Sequence, residues 1–326
     1  LQGTKTAFTP WGFNYDHDRH GRLIEDYWHD EWATVEEDFR EMKALGANVV
    51  RVHLQFGKFM ASASQPDAKS LGQLKKLIRL AEDTGLYLDL TGLGCYHKQD
   101  VPDWYDQLTQ AERWQAQAVF WQAIAKTCAT SSAIFCYDLM NEPVVTGGTG
   151  RRDDWLGAAF GDKHFVQFIA LETGGQPRPE IAAKWIAGLV DAIRKEDTQS
   201  LITVGLVPWS LDRPGLTSGF PPDKVSERLD FISVHLYPEQ GKLEEALETL
   251  QGFAAVGKPV VIEEMFNLQC DGPTLASFIE QSSNQATGWI GFYWGQTAEE
   301  YDPPSTIPDA MMLAWLNIFQ SQRPKP

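Results

Sequence analysis

The chain has 326 residues, 43% of them hydrophobic and 12% aromatic, enough for a large core in two domains or in one α/β barrel. Its formal net charge of −16 argues against nucleic acid and anionic membrane surfaces as partners, because polyanions require a basic patch. No uninterrupted apolar run approaches the roughly 18 residues of a membrane-spanning helix.

Strand-like and helical segments alternate along the chain. Residues 6–14 form the first expected strand. Trp32–Leu45 carries Val35, Phe39, Met42 and Leu45 on one face and ends at Gly46, which suits a left-handed cap. A strand at 48–52 (NVVRV) precedes a helical stripe over 71–81, closed by Gly85, and a strand at 86–90 (LYLDL). Thr109 and Glu112 have capping-box spacing for a helix through Trp114, Phe120, Trp121, Ile124 and Cys128. In the next strand, IFCYDLMNEP at 134–143, the apolar run suits a parallel strand covered on both faces. Pro143 brings no ladder donor, so this strand is expected to stop there, presenting Asn141 and Glu142.

Residues 144–179 are rich in Gly, Pro and charge, and form a long insertion over the sheet's end. A helix over 180–194 and strands at 201–206 and 231–235 follow, with only a weak helical signal in 207–229. A helix over 243–255 feeds KPVVIEEMF at 258–266, a strand ending in Glu263 and Glu264. A helix over 275–285, a strand at 289–294 (WIGFYW) and a helix over 311–319 complete the chain. Eight β/α units without a Gly-rich dinucleotide fingerprint predict an α/β fold of the closed (β/α)8 TIM-barrel type. With no low-complexity linker or short repeat, 1–326 reads as a single domain with long βα-loop insertions.

The first residue is Leu1, as expected of a processed or trimmed chain; removal of a signal peptide would make the protein secreted or periplasmic. Cys95, Cys128, Cys136 and Cys270 lack CxxC spacing, which speaks against a zinc knot, and they leave the compartment open. Asp16-His17-Asp18-Arg19-His20, with His29, superficially resembles a metal cluster. Arg19 within it and the absence of HExxH spacing favour a solvated loop, so neither a metal nor a cofactor is expected.

Two carboxylates at the tips of distant strands mark a ligand site with acid/base or nucleophilic chemistry, because α/β sheets bind ligands at their strands' C-terminal ends. Glu142, held by an apolar strand, is the candidate proton donor. Glu263 and Glu264 are neighbours whose side chains point oppositely along an extended strand, so only one faces the barrel axis easily. The other belongs in the outer layer or behind the first. Trp11, Trp104, Trp155, Trp209 and Trp294 fall at or beyond strand tips, where indoles can stack on flat apolar ligand surfaces, and Trp294 is the foremost of them.

Taken in order from Trp11 to Trp294, these elements resemble the retaining β-glycosidases built on (β/α)8 barrels, and more narrowly glycoside hydrolase family 5, the cellulases and β-mannanases. The resemblance rests on Asn141-Glu142-Pro143, the acid at strand seven, Arg51 in NVVRVH, His235-Leu236-Tyr237 after strand six and Trp294 after strand eight. It implies that Glu142 is the acid/base and that Asn141 bonds the sugar 2-hydroxyl. Aligning Glu263-Glu264-Met265-Phe266 with the family's Gly-Glu-aromatic-Gly makes Glu264 the nucleophile, although both glycines and the aromatic are replaced. Arg51 and Tyr237 are then expected to hold Glu264, with His235, Trp294 and Trp11 contacting substrate. His97 stands near the place of a family histidine after strand three.

The implied activity is hydrolysis of β-linked glucan- or mannan-type oligo- or polysaccharides by double displacement. The alternative is a catalytically weak barrel that binds such saccharides. The expected partner is the saccharide alone, with no nucleic acid and no membrane span, and the chain is expected to be a monomer. The sugar configuration and endo or exo action stay open, since the 144–179 insertion either walls off one end of a cleft or extends it.

Overall fold

The computed structural model describes residues 8–148, 150–213 and 216–324. Eight parallel strands close into a barrel: β1 Trp11–Tyr15, β2 Val49–Gln55, β3 Tyr87–Gly94, β4 Ile134–Asn141, β5 Leu201–Leu206, β6 Ile232–His235, β7 Val260–Met265 and β8 Gly288–Gly291. Each strand pairs with its neighbours in chain order, and β8 returns to β1. The expected (β/α)8 architecture is therefore present. The surrounding helices are α1 Trp32–Leu45, α2 Ala68–Thr84, α3 Gln110–Cys128, α4 Arg178–Arg194, the single turn α5 Pro222–Val225, α6 Leu243–Ala254, α7 Gly272–Ser282 and α8 Ile307–Ser321. Among the described residues no helix is long and apolar enough to cross a membrane.

Local chemistry sets these boundaries. Gly46 ends α1 with φ 104° and donates back to Lys43 and Met42, as a left-handed cap requires. Thr109 and Glu112 form the capping box that starts α3. Between β5 and β6, Pro208, Pro221 and Pro222 each remove a donor, and the chain makes only short turns there. The first strand starts later than expected, at Trp11 after the donorless Pro10; residues 6 and 7 of the expected strand lie outside the described residues. The last strand ends earlier, at Gly291, where the chain bends: the Phe292 amide donates to Met265 and the Trp294 amide to Asn14 of β1.

The main apolar core lies between the strands' outer faces and the helices. A smaller cluster of Val49, Cys136, Phe231, Val261 and Ile290 packs separately from it. Cys128 and Cys136 are buried free thiols. The insertion after β4 carries structure of its own: Pro143–Val145 pairs in parallel with Gln167–Ala170, and the described residues 146–148 and 150–166 form an arm between these two short strands.

Candidate active site

Arg51 of β2 is completely buried and organises the site. Its Nη1 donates to Glu264 Oε1 at 2.7 Å and to Asn14 Oδ1 at 2.8 Å. Its Nη2 donates to Asp138 Oδ2 at 2.7 Å and to Asn141 Oδ1 at 3.0 Å. Nε lies 3.7 Å from Glu263 Oε2. A buried guanidinium must be paired, and this one gathers three carboxylates from β4 and β7.

Regular alternation would not permit that gathering. Between β4 and β5 the register slips after Asp138, which pairs with Thr203 while Asn141 pairs with Gly205. On β7, Ile262 pairs with Val234 but Glu264 with His235, and the β8 side slips between Ile262 and Met265. Such irregularities re-aim side chains. Both Glu263 and Glu264 consequently approach Arg51 from inside the barrel, and an outer-layer place for Glu263 is ruled out.

The two neighbours are shifted in opposite directions. Burial works to raise Glu264, but His235, Arg51 and the Tyr237 hydroxyl outweigh it and hold the carboxyl below the usual range. The Tyr237 hydroxyl donates to Glu264 Oε2 at 2.6 Å. For Glu263, burial and the nearby Asp89 and Asp138 prevail over Arg51 and Ser233, and the carboxyl is pushed well above its ordinary value. Asp89 is pushed up to about 7 by burial, against the pull of Arg51.

Glu142 sits just past the end of β4 with φ 46°, in the left-handed region that non-glycine residues adopt only under constraint. The constraint is visible on both sides. Its amide donates to Gly205 of β5 at 3.1 Å, and its carbonyl accepts from Gln167 at 3.4 Å. Glu142 Oε1 lies 3.0 Å from His235 Nδ1, which lies 3.5 Å from Glu264 Oε2. One oxygen of Glu142 and one of Glu264 come within 4.8 Å of each other.

These two carboxylates share a cavity of about 480 Å³ with Tyr237, Phe165, Phe292, Tyr293 and His17. The structure thus brings together Glu142, Glu264, Arg51, Asn141, His235 and Tyr237. It does not bring Trp294, Trp11 or His97 to the cavity. The bend after Gly291 turns Trp294 outward, where its Nε1 donates to Asp38 at 2.9 Å and its ring packs on Phe13; Phe292 faces the cavity instead. Trp11 is buried at the start of β1 against Trp289 and Phe319, at the barrel end opposite the site. Trp104, Trp155 and Trp209 are likewise absent from the cavity wall. β3 ends at Gly94 and the chain turns away, leaving His97 beside Asp100 and Asp162.

His53 of β2 joins the network in its place, with Nε2 2.9 Å from Asn14 Oδ1 and Nδ1 2.5 Å from the Tyr96 hydroxyl. The sequence pattern gives no sign of Asn14 or Asp138, and the 16–20 loop, expected to be solvated, brings His17 to the cavity wall. His53 was signalled by period two from Arg51 on the same strand; Asp138 was hidden by the register slip.

Two groups of three metal-capable donors gather within 4.8 Å among the described residues: Glu142, His235 and Glu264, and the buried Asp89, Cys136 and Glu263. In the first, Arg51 already balances Glu264. The 16–20 loop does not converge in this way: Asp16 pairs with His17 and Asp18 with Arg22.

The sequence model of the cellulases, glycosyl hydrolase family 5, matches residues 5–302. No curated protein sequence matches the chain. Among solved structures, an exo-β-1,4-mannosidase from Opitutaceae bacterium strain TAV5 superposes with a TM-score of 0.67 at 15% identity, covering 97% of this chain and 55% of that one. The chain thus spans about half of that enzyme's length. A β-1,4-mannanase from the sea hare Aplysia kurodai gives 0.63 at 17% identity, covering 90% and 89% of the two chains. An endo-1,4-β-mannanase from Rhizomucor miehei gives 0.62 at 16% identity, covering 99% and 97%. At these identities the likeness is one of fold.

Proposed function

We propose that this chain, which belongs to the cellulase family, glycosyl hydrolase family 5, and is a glycoside hydrolase, cleaves β-linked mannan-type saccharides with retention of anomeric configuration. The observation that carries this reading is the pair of carboxyl groups, Glu142 and Glu264, with oxygens within 4.8 Å. Retaining enzymes hold their two carboxyls about 5–5.5 Å apart, whereas inverting ones leave room for a water. Glu264, held ionised, attacks the anomeric carbon as the C1–O bond breaks, and Glu142 delivers its proton to the leaving oxygen. Water then attacks the glycosyl ester while Glu142 takes up the water's proton, and Glu264 leaves as carboxylate.

Arg51 and Tyr237 fix the two oxygens of the nucleophile, so little reorganisation accompanies attack. Asn141 is held by Arg51 and by its own bond to the Phe165 carbonyl at 3.2 Å, a rigid placement suited to reading a sugar hydroxyl. Phe165, Phe292 and Tyr293 offer aromatic faces to the sugar ring. The manno configuration is supported by the solved relatives above, a mannosidase and two mannanases by name. The test is turnover of aryl β-mannoside and β-1,4-mannohexaose beside their gluco counterparts, with the first-formed anomer followed by NMR. A β-anomer and faster manno turnover are expected; an α-anomer overturns retention, and gluco preference overturns the mannan assignment.

A further inference from the structure

The arm between Pro143–Val145 and Gln167–Ala170 lines one side of the cavity. It leaves the tip of β4 and does not stay there. The His164 amide donates to the Tyr96 carbonyl at 2.8 Å and Gln167 Nε2 to the Leu93 carbonyl at 2.9 Å, fastening the arm across the loop after β3. Asp162 Oδ2 lies 3.4 Å from His97 Nε2, a second attachment on that loop. Beyond it, Lys163 is buried, and its Nζ comes within 3.5 Å of the space a side chain at Gly21 would fill, in the loop after β1.

From the β1 loop the wall continues to the loop after β8. His17 stacks on Tyr293 of the loop after β8, with ring centres 4.1 Å apart and planes 30° apart. The Phe165 ring lies 5.0 Å from Tyr96 and 6.3 Å from Phe292, so the arm also closes inward over the cavity. A polymer crossing the barrel mouth on the β1–β3 side would meet the arm at Lys163 and His164. The cavity volume of about 480 Å³ is that of a small-molecule pocket, towards the lower end of the roughly 300–1,000 Å³ range.

The orientation of the saccharide in this pocket follows from the two carboxylates. The Glu264 side chain is 8% exposed and the Glu142 side chain 16%, so the attacked ring lies deeper and the leaving oxygen nearer the rim. We infer that the enzyme is exo-acting: the non-reducing terminal sugar of a β-linked chain enters the pocket and stops against the arm, the remainder extends outward past Glu142, and one monosaccharide is released per event. This inference rests on the retaining β-glycosidase reading above.

The test uses β-1,4-mannohexaose and cellohexaose tagged at the reducing end, with the whole chain as enzyme and products resolved by length over time. Free monosaccharide and a tagged ladder shortening one unit at a time are expected. A hexaose blocked at its non-reducing hydroxyls is expected to react at least roughly 100-fold more slowly, because the pocket rejects the blocked ring. Early tagged dimers and trimers with untagged oligomers overturn exo action while leaving the glycosidase reading standing. Absence of turnover on both hexaoses and on aryl β-glycosides overturns both. Replacing residues 158–163 by two glycines is expected to restore cleavage of the blocked hexaose, with aryl β-glycoside turnover showing that the variant is folded. A trimmed, folded variant that still rejects the blocked substrate shows that the arm is not the wall and removes the inference. Should the variant fail to fold, the native chain's product ladder decides alone.

Discussion

Glu263 and Glu264 are chain neighbours whose carboxyls are shifted in opposite directions, and their surroundings set the difference. Glu264 meets Arg51 at 2.7 Å and the Tyr237 hydroxyl at 2.6 Å, whereas Glu263 meets Asp89, Asp138, the Ser233 hydroxyl and, at 3.7 Å, Nε of the guanidinium. The proposed mechanism accordingly assigns nucleophilic attack to Glu264 and a supporting place to Glu263. Glu142→Gln and Glu264→Gln are each expected to lower kcat/KM on aryl β-glycosides by about 10³-fold or more, with unchanged circular dichroism. Glu263→Gln, an amide in place of a neutral acid, is expected to stay within roughly tenfold of the native rate. Loss in Glu263→Gln matching that in Glu264→Gln would invert the assignment, as would a fluorosugar label landing on 263. Part of this was legible in the amino-acid order: Pro143 marks the strand tip, and Asn141, Glu142 and Arg51 stand on apolar strands. Whether 263 or 264 faces the pocket was not, because alternation gives each residue one side and says nothing of a slipped register.

At the scale of elements, the strand irregularities and one glycine shape the site. Gly205 of β5 accepts from the Glu142 amide and donates to Asp138 at 2.7 Å. A Cβ there would lie 3.0 Å from His235 Nε2 and 3.3 Å from Arg51 Nη2, tighter than ordinary contact. Gly205→Ala is expected to lower kcat/KM by roughly 10- to 100-fold through displaced carboxylates, with at most about 1–3 kcal/mol of lost stability by urea unfolding. A native rate in this variant would show that the approach is not critical. Element types followed the sequence closely where periodicity was strong, as in Trp32–Leu45 and Gln110–Cys128. They departed where the chain bends at a strand's end. β8 ends at Gly291 and the bend beyond it takes Trp294 away from the cavity, so the aromatic run WIGFYW presents Phe292 and Tyr293. Aromatic composition announces a platform; the bend decides which ring provides it.

For the molecule as a whole, the barrel interior holds more acid than base. Asp89, Asp138, Glu263 and Glu264 surround one guanidinium. Asp89, ordinarily near 3.8, is pushed up to about 7 by burial. A carboxyl raised in this way binds its proton more tightly folded than unfolded. Between pH about 4 and 7 the unfolded chain is then ionised at this position while the native one is not, so stability falls as pH rises through that window and levels off above it. Asp89→Asn is expected to flatten this slope and to raise the unfolding free energy from urea titration at pH 8 by roughly 1–3 kcal/mol, with little gain at pH 4. An equal gain at both values would place the effect elsewhere. The closed barrel itself was readable from eight alternating β/α signals and the missing dinucleotide fingerprint. The path of the 144–179 insertion was not, since its attachments to Leu93, Tyr96 and His97 join parts of the chain that no local pattern relates.

Arg51 bonds side chains from β1, β4 and β7 at once, and those strands close on one another only when the last β/α unit has docked. Catalytic competence therefore arises at ring closure and not before. No subset of the strands assembles a partially working enzyme, and turnover becomes a reporter of complete folding. In a urea titration, inactivation and the tryptophan fluorescence transition should coincide, and activity surviving past that transition would mean that the acids can pair without the intact ring.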